Sequence, residues 1–117
     1  MALSISIPSG HYDSTGAMIN ASYWQIAYIN ANVINQTFTM QLNGYASVEA
    51  YNANPQQIPL MTQMIMLPDL VNCPSAVWPF SPALLQANYP NNPNAVLLAA
   101  QAYCQNYPMF AGSTLVA

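Results

Sequence analysis

The chain is 117 residues long and contains neither Lys nor Arg; its only acidic residues are Asp13, Glu49 and Asp69, giving a net charge of −3. Without cations it cannot release counterions from a phosphate backbone, so nucleic-acid binding is excluded, and Walker-type phosphate loops lack their lysine. Charged residues make up 3% of the chain, against roughly 25% in an ordinary soluble domain, so a free-living monomer is not expected.

The length suits one domain, residues 1–117, with a core of its own. Disorder requires low hydrophobicity with high net charge, and at 54% hydrophobic and −3 this chain has neither. The apolar tracts Leu60–Leu67 and Ala95–Ala100 fall well short of the ~18 residues of a membrane span. The opening Met1–Pro8 has no basic residue and no long apolar run, so no signal peptide and no membrane partner are expected.

In chain order, Leu3–Ile7 alternates apolar and polar residues and predicts a half-buried strand stopped by Pro8-Ser9-Gly10. A loop through His11, Asp13 and Gly16 follows. Ser22–Asn30 is aromatic and β-branched, with Trp24, Ile26 and Tyr28 expected on one inward face. A polar tip from Asn30 to Gln36 leads to Thr37–Leu42, where Phe38, Met40 and Leu42 alternate inward. The two runs predict a long β-hairpin. Gly44-Tyr45 ends it, and Ala46–Gln57 is expected to form a loop or short helical turn closing at Asn54-Pro55.

Ile58–Leu67 predicts a further strand beside the hairpin. Pro68, Pro74, Pro79 and Pro82 then preclude long regular structure, with Trp78 and Phe80 expected to plug the core. Ser81-Pro82 has the form of an N-cap followed by proline, opening a short helix through Gln86. Asn92-Pro93 repeats that form for a longer helix ending near Tyr107, with Val96, Leu97, Ala100, Tyr103, Cys104 and Tyr107 on one side. The tail from Phe110 is compatible with an edge strand. The fold class is α+β: a small antiparallel sheet built on a long hairpin, with C-terminal helices packed on one side.

Candidate chemistry is sparse. Ser9, His11 and Asp13 lie in one short loop, whereas triad members converge from separate elements; an Asp capping local amides is the simpler reading. A thiol–imidazole pair of Cys73 or Cys104 with His11 has no supporting motif. Glu49 and Asp69 show no sign of the convergence a glycosidase pair needs. The cysteines match no zinc spacing, and three scattered carboxylates do not make a calcium site, so no metal or cofactor is expected. Buried free thiols are the reading for Cys73 and Cys104, with a disulfide as the alternative. Asn20-Ala21-Ser22 and Asn35-Gln36-Thr37 match glycosylation sequons, which a chain rich in Asn, Ser and Thr produces by chance. Tyr23, Trp24, Tyr28, Tyr45, Trp78 and Phe110 are the candidate core or interface aromatics; a sugar-stacking platform at Tyr23-Trp24, Tyr45 and Trp78 is the competing role.

Three stretches together resemble small proteins encoded in bacteriophage structural modules. They are the strand opening Tyr23-Trp24-Gln25-Ile26, its partner ending Leu42-Asn43-Gly44-Tyr45, and the closing segment Ala102–Gly112 with Pro108-Met109-Phe110-Ala111-Gly112. The chain differs from those proteins in lacking basic residues in the hairpin and helix, and in its proline-rich stretch from Pro68 to Pro93. The resemblance implies a virion structural subunit of the tail, baseplate or fibre-attachment region, assembled in the host cytoplasm. Its implied partners are copies of itself, as a homo-oligomer, and other virion proteins; it implies no catalytic residue. A capsid decoration protein and a carbohydrate-binding receptor-recognition module are the alternatives.

Overall fold

The computed structural model describes residues 2–69, 71–74 and 76–116. Five strands form one antiparallel sheet in the order β4-β3-β2-β1-β5: β1 (Ala2–Tyr12), β2 (Met18–Asn32), β3 (Thr37–Tyr45), β4 (Met61–Leu67) and β5 (Thr114–Val116). Three helices complete the fold: α1 (Val48–Ala53), α2 (Pro82–Asn88) and α3 (Ala95–Gln105), followed by a 3-10 turn at Pro108–Phe110. The architecture is the α+β arrangement expected, with the C-terminal helices on one side of a hairpin-based sheet.

The β2–β3 hairpin organises the sheet. Its pairing runs from Tyr23↔Tyr45 to Asn32↔Thr37 around a turn in which Gln36 takes φ +54°. The core face carries Trp24 from β2, Phe38, Met40 and Leu42 from β3, Leu3 from β1, and Ile65 and Leu67 from β4. Against it pack Ala100, Tyr103 and Cys104 of α3, with Tyr107 and Phe110 beyond it. Phe38 is ringed edge-on by Tyr103, Phe80 and Trp78, with centroids at 4.9, 5.5 and 6.2 Å. Trp78 and Phe80 are half-buried and close the rim of the core.

Several boundaries differ from the sequence expectation for identifiable reasons. β1 does not stop at Pro8 but runs to Tyr12, so His11 is in a strand and the loop spans only 13–17. Pro8 is tolerated because β5 covers only Ala2–Ser4, leaving the rest of β1 at the sheet edge, and because register shifts on either side of it already interrupt the ladder with β2. Tyr28 does not share a face with Trp24 and Ile26. A register shift between Ile26 and Tyr28 inserts Ala27, so Ile29 takes the core-side place and Tyr28 is 46% exposed on the opposite face. β4 begins at Met61, not Ile58, because Pro59 has no N–H for the ladder. The long helix begins at Ala95; Asn92 instead holds a turn, its Oδ1 accepting from the Asn94 N–H at 2.8 Å. Val96, expected on the buried side, is exposed. Ser81 does cap α2, accepting from the Leu84 N–H at 3.2 Å.

A second, smaller cluster lies on the other face of the sheet. Tyr23 and Tyr45 pair across the hairpin one position from Trp24 and Gly44, so they point the other way. Tyr51 of α1 covers them, with centroids 5.5 Å from Tyr23 and 4.9 Å from Tyr45, and Ala2 completes the group. Ser47 caps α1 through the Ala50 N–H at 3.0 Å.

Candidate functional site

A cavity of about 440 Å³ lies between the turn after β4 and the end of α3, lined by Asn72, Cys73, Val77, Tyr103 and Asn106 among others. Asp69 holds the adjoining turn and the lining residue Asn72 in place. The Asp69 Oδ1 accepts from the Val71 and Asn72 backbone N–H groups at 3.2 and 3.1 Å. Its Oδ2 accepts from Asn72 Nδ2 at 3.0 Å and from the Tyr107 hydroxyl at 2.7 Å. Asn72 Nδ2 also donates to the Tyr107 oxygen at 2.9 Å, and the Tyr103 hydroxyl donates to the Met66 carbonyl at 3.2 Å. These bonds tie the proline-rich connection to the helix C-terminus.

The electrostatics of the cluster follow from those bonds. The Asn72 side chain and backbone, with Tyr107, hold the Asp69 carboxyl down to about 2. Burial pushes the Tyr103 phenol up to about 12, and burial with the Asp69 hydrogen bond does the same for Tyr107. The Cys73 thiol is raised by burial and by the charge of Asp69. Each shift moves a group away from neutrality, so none is poised to exchange a proton there, and Cys73 is disfavoured as a thiolate nucleophile.

An acid test follows. Asp69 ionises below its ordinary value of 3.8, so its stabilisation is complete above about pH 4 and is lost as pH falls through about 2. Removing one donor with Tyr107→Phe should move the acid unfolding limb, read by tryptophan fluorescence, to higher pH; an unmoved limb would place the acid-labile group elsewhere. At the other extreme both phenols stay protonated to about 12, whereas unfolded tyrosine ionises near 10. Stability should therefore fall as pH rises above about 10.

Cys73 and Cys104 are both free thiols. Cys104 is fully buried against Met40, Sγ to Sδ 3.9 Å, and burial pushes it up to about 12. Ellman's reagent should therefore titrate Cys73 alone in the native chain and both thiols after unfolding. Two fast native thiols would contradict this packing.

The other motifs resolve locally. Asp13 Oδ1 accepts from the Thr15 N–H and hydroxyl at 2.8 and 2.6 Å and from the Ala17 N–H at 3.1 Å, capping its own loop. Ser9 Oγ donates to the Ile19 carbonyl and accepts from the His11 backbone N–H at 3.1 Å, so neither partner turns to the imidazole. Glu49 sits in the first turn of α1, while Asp69 is held in the turn after β4. Among the described residues no group of three or more His, Cys, Asp or Glu gathers to hold a metal, and no helix is long and apolar enough to cross a membrane.

Of the aromatics singled out in the sequence, Trp24 and Phe110 meet in the core at 5.1 Å, edge to face. Tyr23 and Tyr45 join the second cluster, Trp78 closes the core rim, and Tyr28 stands open with its hydroxyl 3.9 Å from Met64 Sδ. Sequence reasoning missed the Asp69–Asn72–Tyr107 cluster. The Asp69-x-x-Asn72 turn after a strand is a local signal for it, but its union with Tyr107 depends on where α3 docks. No family model matches the chain, and no curated protein or solved structure matches it.

Proposed function

We propose that this chain is a structural subunit of a bacteriophage particle, placed in the tail, baseplate or fibre-attachment region and acting by packing against copies of itself and other virion proteins. The observation that carries the reading is the kind of surface the fold presents. It lacks any Lys or Arg, yet it exposes Val33 and Ile34 at the hairpin tip, Ile58 before β4, and Val71, Val77, Leu84 and Val96 around the C-terminal helices. Such side chains are common singly on soluble proteins, but these sit on a surface without the mixed charge that keeps monomers apart. The elongated body, 51 × 32 × 23 Å, offers long flanks for lateral packing. The resemblance of the hairpin and closing segment to phage structural proteins supports the particle context.

A sugar-binding role needs solvent-facing rings with hydrogen-bonding groups around them. Of the tyrosines, Tyr51 is packed against Tyr23 and Tyr45, while Tyr12 and Tyr28 are exposed, Tyr12 the more so. Cross-linking in infected cells should recover other virion proteins; with no lysine in the chain it must use photoreactive or carboxylate chemistry. Saturable glycan binding abolished by Tyr12→Ala, with no virion protein recovered, would overturn the proposal.

A further inference from the structure

The two edges of the sheet are built differently. On one side β1 beyond Ser4 is uncovered, but it carries Pro8, Gly10 at φ +80° and two register shifts, devices that blunt an edge against pairing. On the other side β4 has no such device. Met61–Leu67 contains no Pro, Gly or charged residue and pairs with β3 in unbroken register from Gly44↔Met61 to Phe38↔Leu67. Two of its carbonyls face away from β3: Met64 O accepts from Gln63 Nε2 at 3.0 Å, and Met66 O accepts from the Tyr103 hydroxyl. In an antiparallel ladder the N–H of a residue points the same way as its C=O. The N–H groups of Met64 and Met66, and by alternation the backbone groups of Thr62, therefore also face the open edge.

We propose that β4 pairs antiparallel with β4 of a second copy, about a two-fold axis at Met64, joining two sheets into one. The inference rests on the reading of the chain as an assembly subunit and names the surface involved. A row of donors and acceptors repeating every two residues along an extended strand matches only another extended backbone. A second copy supplies that row with matching spacing: the axis sets Met64 opposite Met64 and Thr62 opposite Met66, forming about six backbone hydrogen bonds. Thr62, Met64 and Met66 are exposed and neutral, so the symmetric contact opposes no like charges. The Gln63 side chain bonds its own strand locally and can yield to the incoming N–H. The Met66 carbonyl has a second lone pair, so Tyr103 can keep its bond.

Sedimentation equilibrium of the full-length chain tests this directly. The wild type should dimerise, whereas Met64→Lys and Met64→Glu, each setting like charges face to face, should weaken dimerisation by about 100-fold or more. Mixing the two variants in equal amounts should restore a heterodimer, a rescue that misfolded chains cannot give. Met64→Pro, which removes one outward N–H and no bond to β3, should also abolish pairing while leaving the far-UV circular dichroism unchanged. A monomeric wild type, charged variants that dimerise normally, or a folded mixture without rescue would each overturn the β4 contact. None of these results depends on the particle context, which fails separately if the chain dimerises through β4 but is absent from particles.

Discussion

Trp24→Ala should lower the stability of the fold by about 3–5 kcal/mol, the cost of emptying a large core site. Trp24 is completely buried near the open end of the β2–β3 pairing, on the face that meets the C-terminal segment. Its ring stands edge to face with Phe110, and its Nε1 donates to the Ala21 carbonyl at 3.2 Å. The substitution therefore opens a cavity, removes an aromatic pair and leaves a buried carbonyl without its donor. Against a total stability of roughly 5–15 kcal/mol, that is enough to bring the domain near unfolding. Urea denaturation measures it, with Trp78 as the remaining tryptophan. A loss below about 1 kcal/mol, with particle incorporation lost instead, would move Trp24 from the core to a subunit interface.

Gly44→Ala should be damaging for a related reason, although it adds only one methyl group. Gly44 faces Trp24 across the β2–β3 ladder, and a Cβ there would lie 2.8 Å from Cη2 and Cζ2 and 2.9 Å from Cζ3 of the indole. The ring is fixed by Phe110 and by its Ala21 bond, so it cannot step aside, and overpacking of this kind costs about 1–3 kcal/mol. The two sites should be strongly coupled. In a Trp24→Ala background the methyl has room, so Gly44→Ala should become neutral or slightly stabilising, giving a coupling energy of more than about 1 kcal/mol in a double-mutant cycle. Additive losses would show that Gly44 is needed for its backbone conformation and not for the ring above it.

The hairpin was legible because its periodicity is local. Phe38, Met40 and Leu42 alternate without interruption, and all three are buried as the pattern requires. Tyr28 was misplaced because a single inserted residue, Ala27, inverts every later face of the strand, and no composition marks it. Pro8 misled for the opposite reason: it breaks a central strand but not an edge, and which strand lies at an edge is a tertiary fact. Val96 followed the helical spacing, yet α3 docks through Ala99, Ala100, Tyr103 and Cys104, one step around the helix. The Asp69–Tyr107 union was illegible because its two halves come from segments 38 residues apart. The bare β4 edge was half legible: its lack of charge is plain in the sequence, but its position at the end of the sheet is not.

The central proposal, that this charge-poor fold is a building part of a phage particle, is tested most directly by quantitative mass spectrometry of gradient-purified virions of a phage whose genome carries its gene. The chain should be present at a fixed number of copies per particle across independent preparations, in constant ratio to the other structural proteins. Its absence from intact particles, with abundant chain in the soluble fraction of the same infected cells, would contradict the claim.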